Sequence, residues 1–526
     1  MTVITADTSA DTLTRDALTV LQPGFRGTEA PDWVLRLLGE GLGAVALFSR
    51  NIESPEQVAR LTAQLRAVRP DILVAADEEG GDVTRLEARG GSSFPGNLAL
   101  GAVDDVKLTR AVAAELGRRL AACGVNLNWA PSADVNSDPD NPVIGVRSFG
   151  AEPELVARNT AAYIEGMQSA GVATSVKHFP GHGDTGVDSH HAMPLIDVDL
   201  ETLRERELVP FRAAIAAGTK AVMSAHILVP ALDAELPGTL STAVLMGLLR
   251  APREEGGLGY DGLVVTDGIE MQAISGTYGL ERGTVMALAA GCDAICVGGG
   301  LSDEQTVLDL RDAIVRAVRE GDLPAERLAD AAARVRDLAA WAAQRSGAAE
   351  GTAPAAPSGT EPGDTGGDAG SDIGLEAARR ALRITRTAAF TPLTKAPYVA
   401  ALTPVANIAV GDVTPWGIAA DLAKLLPGTV TGTYPAREVE EQGADAFAAG
   451  LIEEAGDRTV VLVVRDAHRH RWMADTLAAV TARRPGTVVV EMGVPQAPAT
   501  GALHIATHGA ARVCGTAAAE AIVGAV

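Results

Sequence analysis

The sequence predicts an α/β fold, a TIM-type (β/α)8 barrel followed by a smaller α/β sandwich domain. Short apolar runs alternate with amphipathic segments from residue 18 to about residue 300. A stretch rich in Gly, Ala and Pro then interrupts the chain, and apolar and amphipathic segments alternate again beyond it. Such alternation is typical of a parallel sheet covered by helices, and eight repeats in about 300 residues favour a barrel.

Eight apolar runs are predicted as the barrel strands, because they are short and rich in β-branched residues. They are 18–21, 44–48, 72–76, 125–129, 172–176, 221–224, 263–266 and 294–297. Segments between them carry apolar residues near helical spacing and are predicted as helices, among them 55–68, 108–123, 152–169, 203–217 and 283–290. The first and last runs give the weakest signals, so a doubly wound open sheet stays the alternative.

The rest of the chain is predicted as a helix, a linker and a second domain. Residues 324–344 have helical periodicity, and 346–373 have the composition of a flexible linker. Beyond the linker, strands are expected at 399–402, 408–410, 460–464 and 488–491, with helices at 417–426, 445–455 and 471–483. We therefore expect a catalytic barrel over 1–345, a linker over 346–373 and a sandwich with a parallel sheet over 374–526.

Composition limits the possible partners and the cellular location. The net charge of −23 argues against binding to nucleic acid or to an anionic membrane. No apolar run approaches the roughly 20 residues of a membrane span, and the polar N-terminus lacks the features of a signal peptide. The four cysteines are scattered and are interpreted as reduced core residues, consistent with the cytoplasm. The sequence does not indicate an oligomeric state.

The stretch 177–191 is a loop that follows a predicted strand and concentrates titratable side chains. Asp188 and His190 are two residues apart, so the carboxylate is able to orient the imidazole for proton transfer. Solvated turn residues are the alternative. A metal site built from His178, His182, His190 and an Asp also stays open, although Pro180 and Gly181 argue against a zinc-binding helix.

Charged residues also follow other predicted strands, where a barrel places its active site. Asp77, Arg85, Arg147 and Lys177 stand at such positions and would together suit a sugar-sized ligand with many hydroxyl groups, although each alone is more often a surface ion pair. Asp267 directly follows the run 263–266. Its position fits a nucleophile, but placement alone favours an Asp that caps the next helix.

These residues lie in motifs that resemble the β-N-acetylhexosaminidases of glycoside hydrolase family 3. The loop KHFPGHGDTGVDSH at 177–190 is similar to the signature of that subfamily. Supporting motifs are ALFSRNI at 46–52, DEEGG at 77–81, NPVIGVRSFG at 141–150 and VVTDGIEM at 264–271. The resemblance covers about residues 18 to 340 in order, and the second domain matches the two-domain members of the family more loosely.

The resemblance implies a retaining double displacement. By motif, Asp267 corresponds to the nucleophile and His190 to the acid/base, with Asp188 as its partner. The implied ligands of the non-reducing N-acetylglucosamine are Asp77, Arg85, Arg147, Lys177 and His178. We expect an exo-acting β-N-acetylglucosaminidase that removes this sugar from small cell-wall (muropeptide) or chitin-derived oligosaccharides, without a cofactor or a metal.

Three other functions are possible, and three residues differ from the motifs of the family. Transfer to phosphate is the close rival, because an uncharged histidine lets an anionic acceptor approach. A metal-dependent hydrolase and a non-catalytic sugar-binding protein are the others. Glu78 and Asp82 stand where Gln and Arg are expected, which adds negative charge beside Asp77, and the residue types give no account of Gly268 after the expected nucleophile.

Overall fold

The computed structural model describes residues 4–186, 193–300, 303–349, 369–404 and 414–525. The chain divides into two compact units. The first unit comprises Met1–Glu78, Thr109–Val135 and Ala151–Thr365, and the second comprises Glu79–Leu108, Asn136–Gly150 and Gly366–Val526. The domain boundaries expected from the sequence stay a prediction.

The first unit contains eight strands that alternate with helices. The strands are β1 (Leu21–Pro23), β2 (Ala44–Leu47), β3 (Leu73–Ala76), β4 (Leu127–Asn128), β5 (Ala173–Phe179), β6 (Ala221–Ser224), β7 (Leu263–Thr266) and β8 (Ile295–Val297). Strands β2 to β7 form a six-stranded parallel sheet in chain order, and β1 pairs with β8. Single bridges, Gly24 with Ala46 and Val265 with Ala294, adjoin these two sheets. The α/β fold with a parallel sheet is confirmed, while a complete eight-stranded barrel stays a prediction.

Most helices of the first unit lie between its strands, as their apolar periodicity predicts, while one helix precedes β1 and two follow β8. Those of the first unit are Ile4–Thr19, Asp32–Glu40, Pro55–Val68, Val106–Ala122, Pro153–Ser169, Leu200–Thr202, Leu208–Ala216, Gln272–Tyr278, Leu280–Ala290, Glu304–Glu320 and Ala325–Ala349. Shorter turns of 3₁₀ type cover Ser49–Asn51, Gly238–Leu240 and Arg253–Glu255, and wider π-helical turns cover Leu203–Glu207 and Ala243–Arg250.

The core of the first unit shows that its sheet is curled. Alternate strand residues share one cluster, for example Leu73 and Ala75 from β3 with Leu263 and Val265 from β7. Side chains of the long helix Ala325–Ala349 belong to the same cluster. Because successive strand residues point to opposite faces, the sheet must curve for strands so far apart in order to surround one core.

The first strand begins three residues later than the sequence suggests. Leu18 and Thr19 belong to the last turn of the helix Ile4–Thr19, and the Thr19 hydroxyl lies 2.9 Å from the carbonyl oxygens of Arg15 and Gly41. The prediction of a strand at 18–21 was therefore wrong at its start. The apolar run continues across the helix end because the helix end and the strand are both buried.

The second unit contains a six-stranded sheet with helices on both faces. Its strands are β9 (Arg383–Arg386), β10 (Tyr398–Thr403), β11 (Val430–Pro435), β12 (Val460–Val464), β13 (Val488–Glu491) and β14 (Leu503–Ala506), in the order β11-β10-β12-β13-β14-β9. All pairs are parallel except β14 with β9. The helices are Asn97–Val103, Ala369–Ala381, Ala419–Leu425, Ala436–Gln442, Ala444–Ala455, Arg471–Arg483 and Arg512–Val523, with a 3₁₀ turn at Gly145–Arg147.

Both faces of this second sheet are buried at strands β12 to β14. Val461 and Val463 of β12 enter one apolar cluster, and Val460 and Leu462 enter the other. This explains the unbroken apolar run of β12, because a parallel sheet covered on both faces has no polar side. The second α/β domain is confirmed. The expected strand 408–410 lies outside the described residues.

Within the described ranges, no helix is both long enough and apolar enough to span a membrane.

Candidate active site

Polar side chains gather at the carboxyl ends of three strands of the first unit. Asp77 follows β3, Lys177 and His178 lie near the end of β5, and Asp267 follows β7. Carboxyl ends of parallel strands share one edge of the sheet, which is where β/α enzymes carry their catalytic residues. Asp77 and Asp267 follow their strands as the sequence predicts, whereas Lys177 and His178, expected at the start of a loop, still belong to β5.

Lys177 and Asp77 form a buried ion pair. Lys177 Nζ lies 2.8 Å from Asp77 Oδ1, and the side chains are 2% and 19% exposed. A buried ammonium group requires a partner of opposite charge, so Asp77 fixes the lysine in place. The partly open carboxylate remains able to accept further hydrogen bonds from hydroxyl groups.

Asp134 orders His178 and the chain that follows it. Its fully buried carboxylate lies 2.7 Å from His178 Nδ1, and it accepts hydrogen bonds from the backbone N–H of His182 (2.7 Å) and from Ser132 Oγ (2.7 Å). Burial, the largest single influence, raises the pKa of the Asp134 carboxyl, but His178, His182 and Ser132 together hold that pKa below its ordinary value. A carboxylate can only accept, so Nδ1 of His178 carries a hydrogen.

His182 is a buried structural residue of the same loop. Its Nδ1 lies 2.6 Å from Thr185 Oγ1. Burial lowers the pKa of His182 to about 4, and the neighbouring His178 ring acts in the same direction. The ring is therefore neutral near pH 7, which fits a residue that holds the loop in place rather than one that exchanges protons.

The backbone around Asp267 is fixed by hydrogen bonds. The Asp267 N–H donates to the Ser224 carbonyl (3.1 Å), and Asp267 Oδ1 accepts from the N–H of Gly268 (2.8 Å). The next helix begins only at Gln272, with Met271 at its N-cap position. The interpretation of Asp267 as a helix cap is therefore wrong, and its half-buried carboxylate lies at the end of β7.

Two of the expected catalytic residues, Asp188 and His190, lie outside the described residues. The metal-site alternative needs His190, so it is not tested. In the part of the chain that the structure describes, no group of three or more His, Cys, Asp and Glu side chains is arranged to hold a metal ion.

Arg85 and Arg147, the other expected ligands, belong to the second unit. The Arg147 guanidinium pairs with Glu79 through two hydrogen bonds, Nη2 to Oε1 at 2.7 Å and Nε to Oε2 at 3.1 Å. Both side chains are almost fully buried. Arg85 is half-buried. Their roles as ligands stay a prediction.

Asp82, an unusual residue in its motif, is held by residues of the second unit. Its carboxylate forms an ion pair with Arg465 and accepts from the N–H of Ala510 (2.7 Å). Burial raises the pKa of Asp82, and Arg465 opposes that shift. Arg465 thus compensates the negative charge of Asp82.

Sequence reasoning missed three residues that position the site. Asp134 and His226 were not among the expected site residues, and Arg50 stood only within the motif ALFSRNI. Arg50 donates to the carbonyls of Phe25 (3.1 Å) and Gly299 (3.0 Å), so it ties the segment after β2 to those after β1 and β8. For Arg50 and His226 the available signal was a polar side chain soon after β2 and β6, whereas Asp134 lies six residues beyond β4 and had no such signal.

A β/α fold that carries a fixed carboxylate, a buried lysine and an oriented histidine at its strand ends is that of an enzyme acting on a polar ligand. Residues 27–338 match the model of the glycosyl hydrolase family 3 N-terminal domain. Because the match covers more than half of the chain, the chain belongs to glycosyl hydrolase family 3.

Named relatives agree with this family. A β-hexosaminidase of Chromobacterium violaceum is 38% identical over 281 residues, which cover 52% of this chain and 76% of the relative. β-Hexosaminidase A of Pseudoalteromonas piscicida is 34% identical over 326 residues, 56% of this chain, and the chain spans only 53% of that relative. The β-N-acetylhexosaminidase subfamily and the class of glycoside hydrolase, both expected from the motifs, are confirmed.

A solved structure matches nearly the whole chain. It is a family 3 β-N-acetylglucosaminidase from Paenibacillus sp. FPU-7, with 36% identity, a TM-score of 0.85, and coverage of 98% of this chain and 97% of that one. A β-glucoside phosphorylase has a TM-score of 0.73 but only 19% identity, so it shows the fold alone.

Proposed function

We propose that this protein is a retaining exo-β-N-acetylglucosaminidase with Asp267 as its nucleophile. The observation that carries the proposal is the fixed, half-buried carboxylate of Asp267 at the end of β7. The similarity to β-hexosaminidases and to a solved β-N-acetylglucosaminidase supports it. The proposed substrates are small cell-wall (muropeptide) or chitin-derived oligosaccharides, and the proposed location is the cytoplasm.

In the proposed reaction, Asp267 attacks the anomeric carbon and His190, as imidazolium, protonates the leaving oxygen. Neutral His190 then takes a proton from the water that hydrolyses the glycosyl-enzyme. Asp188 would hold the imidazole in the tautomer that this exchange needs. None of these steps requires a metal or a cofactor.

Asp77, Lys177 and His178 are the proposed ligands of the terminal sugar. The ammonium of Lys177 is fixed by Asp77, and the ring of His178 is fixed by Asp134. Fixed polar groups suit a sugar, because they lose little conformational freedom when the ligand binds. No observation favours phosphorolysis, since the phosphorylase that resembles this chain does so in fold alone.

The test replaces Asp267 with Ala and measures the release of p-nitrophenol from its N-acetyl-β-glucosaminide. We expect a loss of about 10³-fold or more, because no other group would form the covalent intermediate. Azide should restore turnover in the variant and give the α-glycosyl azide, the product expected when an external anion replaces the nucleophile. Near-wild-type activity of a folded Asp267→Ala variant would refute the proposal.

The same assay in phosphate and in a non-nucleophilic buffer separates hydrolysis from transfer. We expect free N-acetylglucosamine in both buffers. Accumulation of the sugar 1-phosphate in phosphate buffer would instead establish phosphorolysis and overturn the hydrolase part of the proposal.

A further inference from the structure

Three buried polar side chains lie beside the turn that carries Asp267. Ser224 ends β6, His226 follows two residues later, and Thr239 lies in the 3₁₀ turn Gly238–Leu240. All three are at most 1% exposed. We call them the His226 network. Buried polar groups require hydrogen-bond partners, so the partners of these three side chains indicate what they hold in place.

The network ends on the carbonyl oxygen of Gly268, the residue after Asp267. His226 Nε2 lies 2.9 Å from that oxygen. A carbonyl only accepts, so Nε2 carries the hydrogen and donates it. His226 Nδ1 lies 2.8 Å from Thr239 Oγ1, and Thr239 Oγ1 lies 2.9 Å from Ser224 Oγ. In the neutral ring, Nδ1 accepts from the threonine hydroxyl, and this fixes the tautomer that donates to Gly268.

The backbone of this turn is held at successive positions. Besides the bond from Asp267 to the Ser224 carbonyl, the N–H of Ile269 donates to the Cys296 carbonyl at 3.0 Å. The Gly268 carbonyl and the Ile269 N–H belong to one planar peptide unit, so the contacts with His226 and with the Cys296 carbonyl hold that unit from both sides. The Gly268 N–H that donates to Asp267 Oδ1 lies in the preceding peptide unit, and glycine restricts the rotation between the two units least. The bond from His226 holds the second unit and so limits how far the two units turn relative to each other.

We propose that His226 is a positioning residue, which aims the Asp267 carboxylate by fixing the Gly268 carbonyl. The proposal rests on the proposed function, because the aim of this carboxylate matters for rate only if Asp267 is the nucleophile. His226 does not touch the sugar in this proposal. It acts through the backbone, and errors of about 1 Å in the position of a reacting group cost about 10²-fold in rate.

The test compares two amides that imitate different nitrogens of the imidazole. Gln at position 226 places its amide nitrogen near the Nε2 position and retains a donor to Gly268, whereas the shorter Asn imitates Nδ1 and does not reach it. We expect His226→Gln to keep kcat within about tenfold of wild type, and His226→Asn to lose about 10²-fold in kcat with little change in KM. Thermal unfolding of both variants is measured in parallel.

A role in folding alone gives a different pattern. It would lower the melting temperature of both variants and leave the kcat of the folded fraction unchanged. Equal kcat values for folded His226→Gln and His226→Asn would therefore overturn the proposal.

A second pair of variants tests the same proposal if the His226 variants do not fold. Thr239→Val removes the hydroxyl that sets the tautomer, and Thr239→Ser retains it. We expect a fall of about tenfold in kcat for the valine variant and recovery with serine. Equal kcat values for this pair would also overturn the proposal.

The Asp267→Ala variant distinguishes the two levels of failure. If that variant is inactive while His226→Asn has wild-type kcat, only the role of His226 fails. If Asp267→Ala retains activity, the proposed function fails, and the role of His226 fails with it.

Discussion

At the scale of single residues, the orientation of His178 depends on a carboxylate from another part of the chain. Asp134 is 44 positions away in sequence and lies 2.7 Å from the His178 ring. The same carboxylate accepts the backbone N–H groups of His178 (3.2 Å) and His182 (2.7 Å). One buried side chain therefore sets the position of a proposed sugar ligand and of the loop that follows it.

Replacement of Asp134 with Asn should reverse the His178 tautomer. The amide nitrogen of Asn can donate to Nδ1, so the hydrogen moves to Nε2, and a nitrogen that was able to accept from the sugar becomes a donor. We expect kcat/KM to fall by about tenfold to 10²-fold, less than when the tautomer of a catalytic base is reversed. Nitrogen chemical shifts of the His178 ring report the tautomer directly.

The matched control is Ser132→Ala, which removes one hydrogen bond to Asp134 and leaves its carboxylate in place. We expect this control to keep the wild-type tautomer and most of the activity. An Asp134→Asn protein with unchanged ring shifts would contradict the prediction.

The sequence could identify residues of the site that directly follow strands, and it could not identify those that orient them. Asp77, Lys177 and Asp267 were predicted because each stands at the end of a buried run. The roles of Asp134 and His226 depend on contacts across 44 and 42 positions. Those contacts follow from how neighbouring strands pack, and no local pattern encodes them.

At the scale of elements, the helical segment after β5 holds a buried acid beside the histidine-rich loop. Glu207 ends the π-helical turn Leu203–Glu207, and its fully buried side chain accepts from Arg206 Nε at 2.6 Å. Arg206 also reaches Asp184 Oδ2 at 2.5 Å. Burial raises the pKa of Glu207 to about 7, and Arg206 opposes part of that shift.

This pKa makes stability depend on pH. The folded protein binds more protons at Glu207 than the unfolded chain between about pH 4.5 and pH 7, so the free energy of unfolding falls as pH rises through that range. His182 acts in the opposite sense, because its folded pKa of about 4 lies below its ordinary value of 6.5. The pH dependence of the unfolding free energy of the wild-type protein therefore contains contributions from both Glu207 and His182.

A comparison with Glu207→Gln isolates the first group. We expect the variant to gain stability relative to wild type on going from pH 5 to pH 8, by at most a few kcal/mol, since a raised pKa penalises the charged form. Urea unfolding at both pH values measures the difference, and His182 contributes equally to both proteins. The exposed neighbour Glu205, changed to Gln, is the control and should show no such gain. A constant difference between wild type and Glu207→Gln would contradict the raised pKa.

Elements were predictable where their signal was strong. Strands β2 to β8 were recognised because apolar, β-branched runs alternate with amphipathic helices. Strands β9, β11 and β14 were missed. Strand β9 reads RITR and is mostly exposed, β11 contains Gly and Pro and alternates between half-buried and exposed residues, and β14 is short and contains a histidine.

At the scale of the whole molecule, the second unit is assembled from three separate segments of the chain. Within it, Asp82 pairs with Arg465, and Asp105 pairs with Arg380 at 2.9 Å. No local pattern indicated these pairings, because the members of each pair are hundreds of positions apart in the chain. Of these two ion pairs, the one with Asp82 is buried, so we expect its loss to lower stability more than the loss of the pair with Asp105.

Removal of Arg465 should leave the Asp82 charge buried without its partner. We expect Arg465→Met to lower the free energy of unfolding by about 3–5 kcal/mol, and Asp82→Asn in the same chain to restore most of it. Urea unfolding of the two single variants and the double variant gives the coupling energy. As a control, Arg437→Met removes an exposed ion pair with Glu441 and should cost less than about 1 kcal/mol. Additive effects at positions 82 and 465 would show that the pair contributes nothing.

The three-segment second unit also bears on how such proteins arise and how they can be rebuilt. A gene fragment that encodes only residues 366–526 lacks the stretch 79–108, which supplies Glu79, Asp82 and Asp105, and the stretch 136–150, which supplies Arg147. Recombination at the ends of that fragment would thus transfer an incomplete module, and its new host would have to provide matching loops. The segments 79–108, 136–150 and 366–526 should therefore be exchanged together when chimaeras are designed. We also expect their sequences to vary together among related proteins.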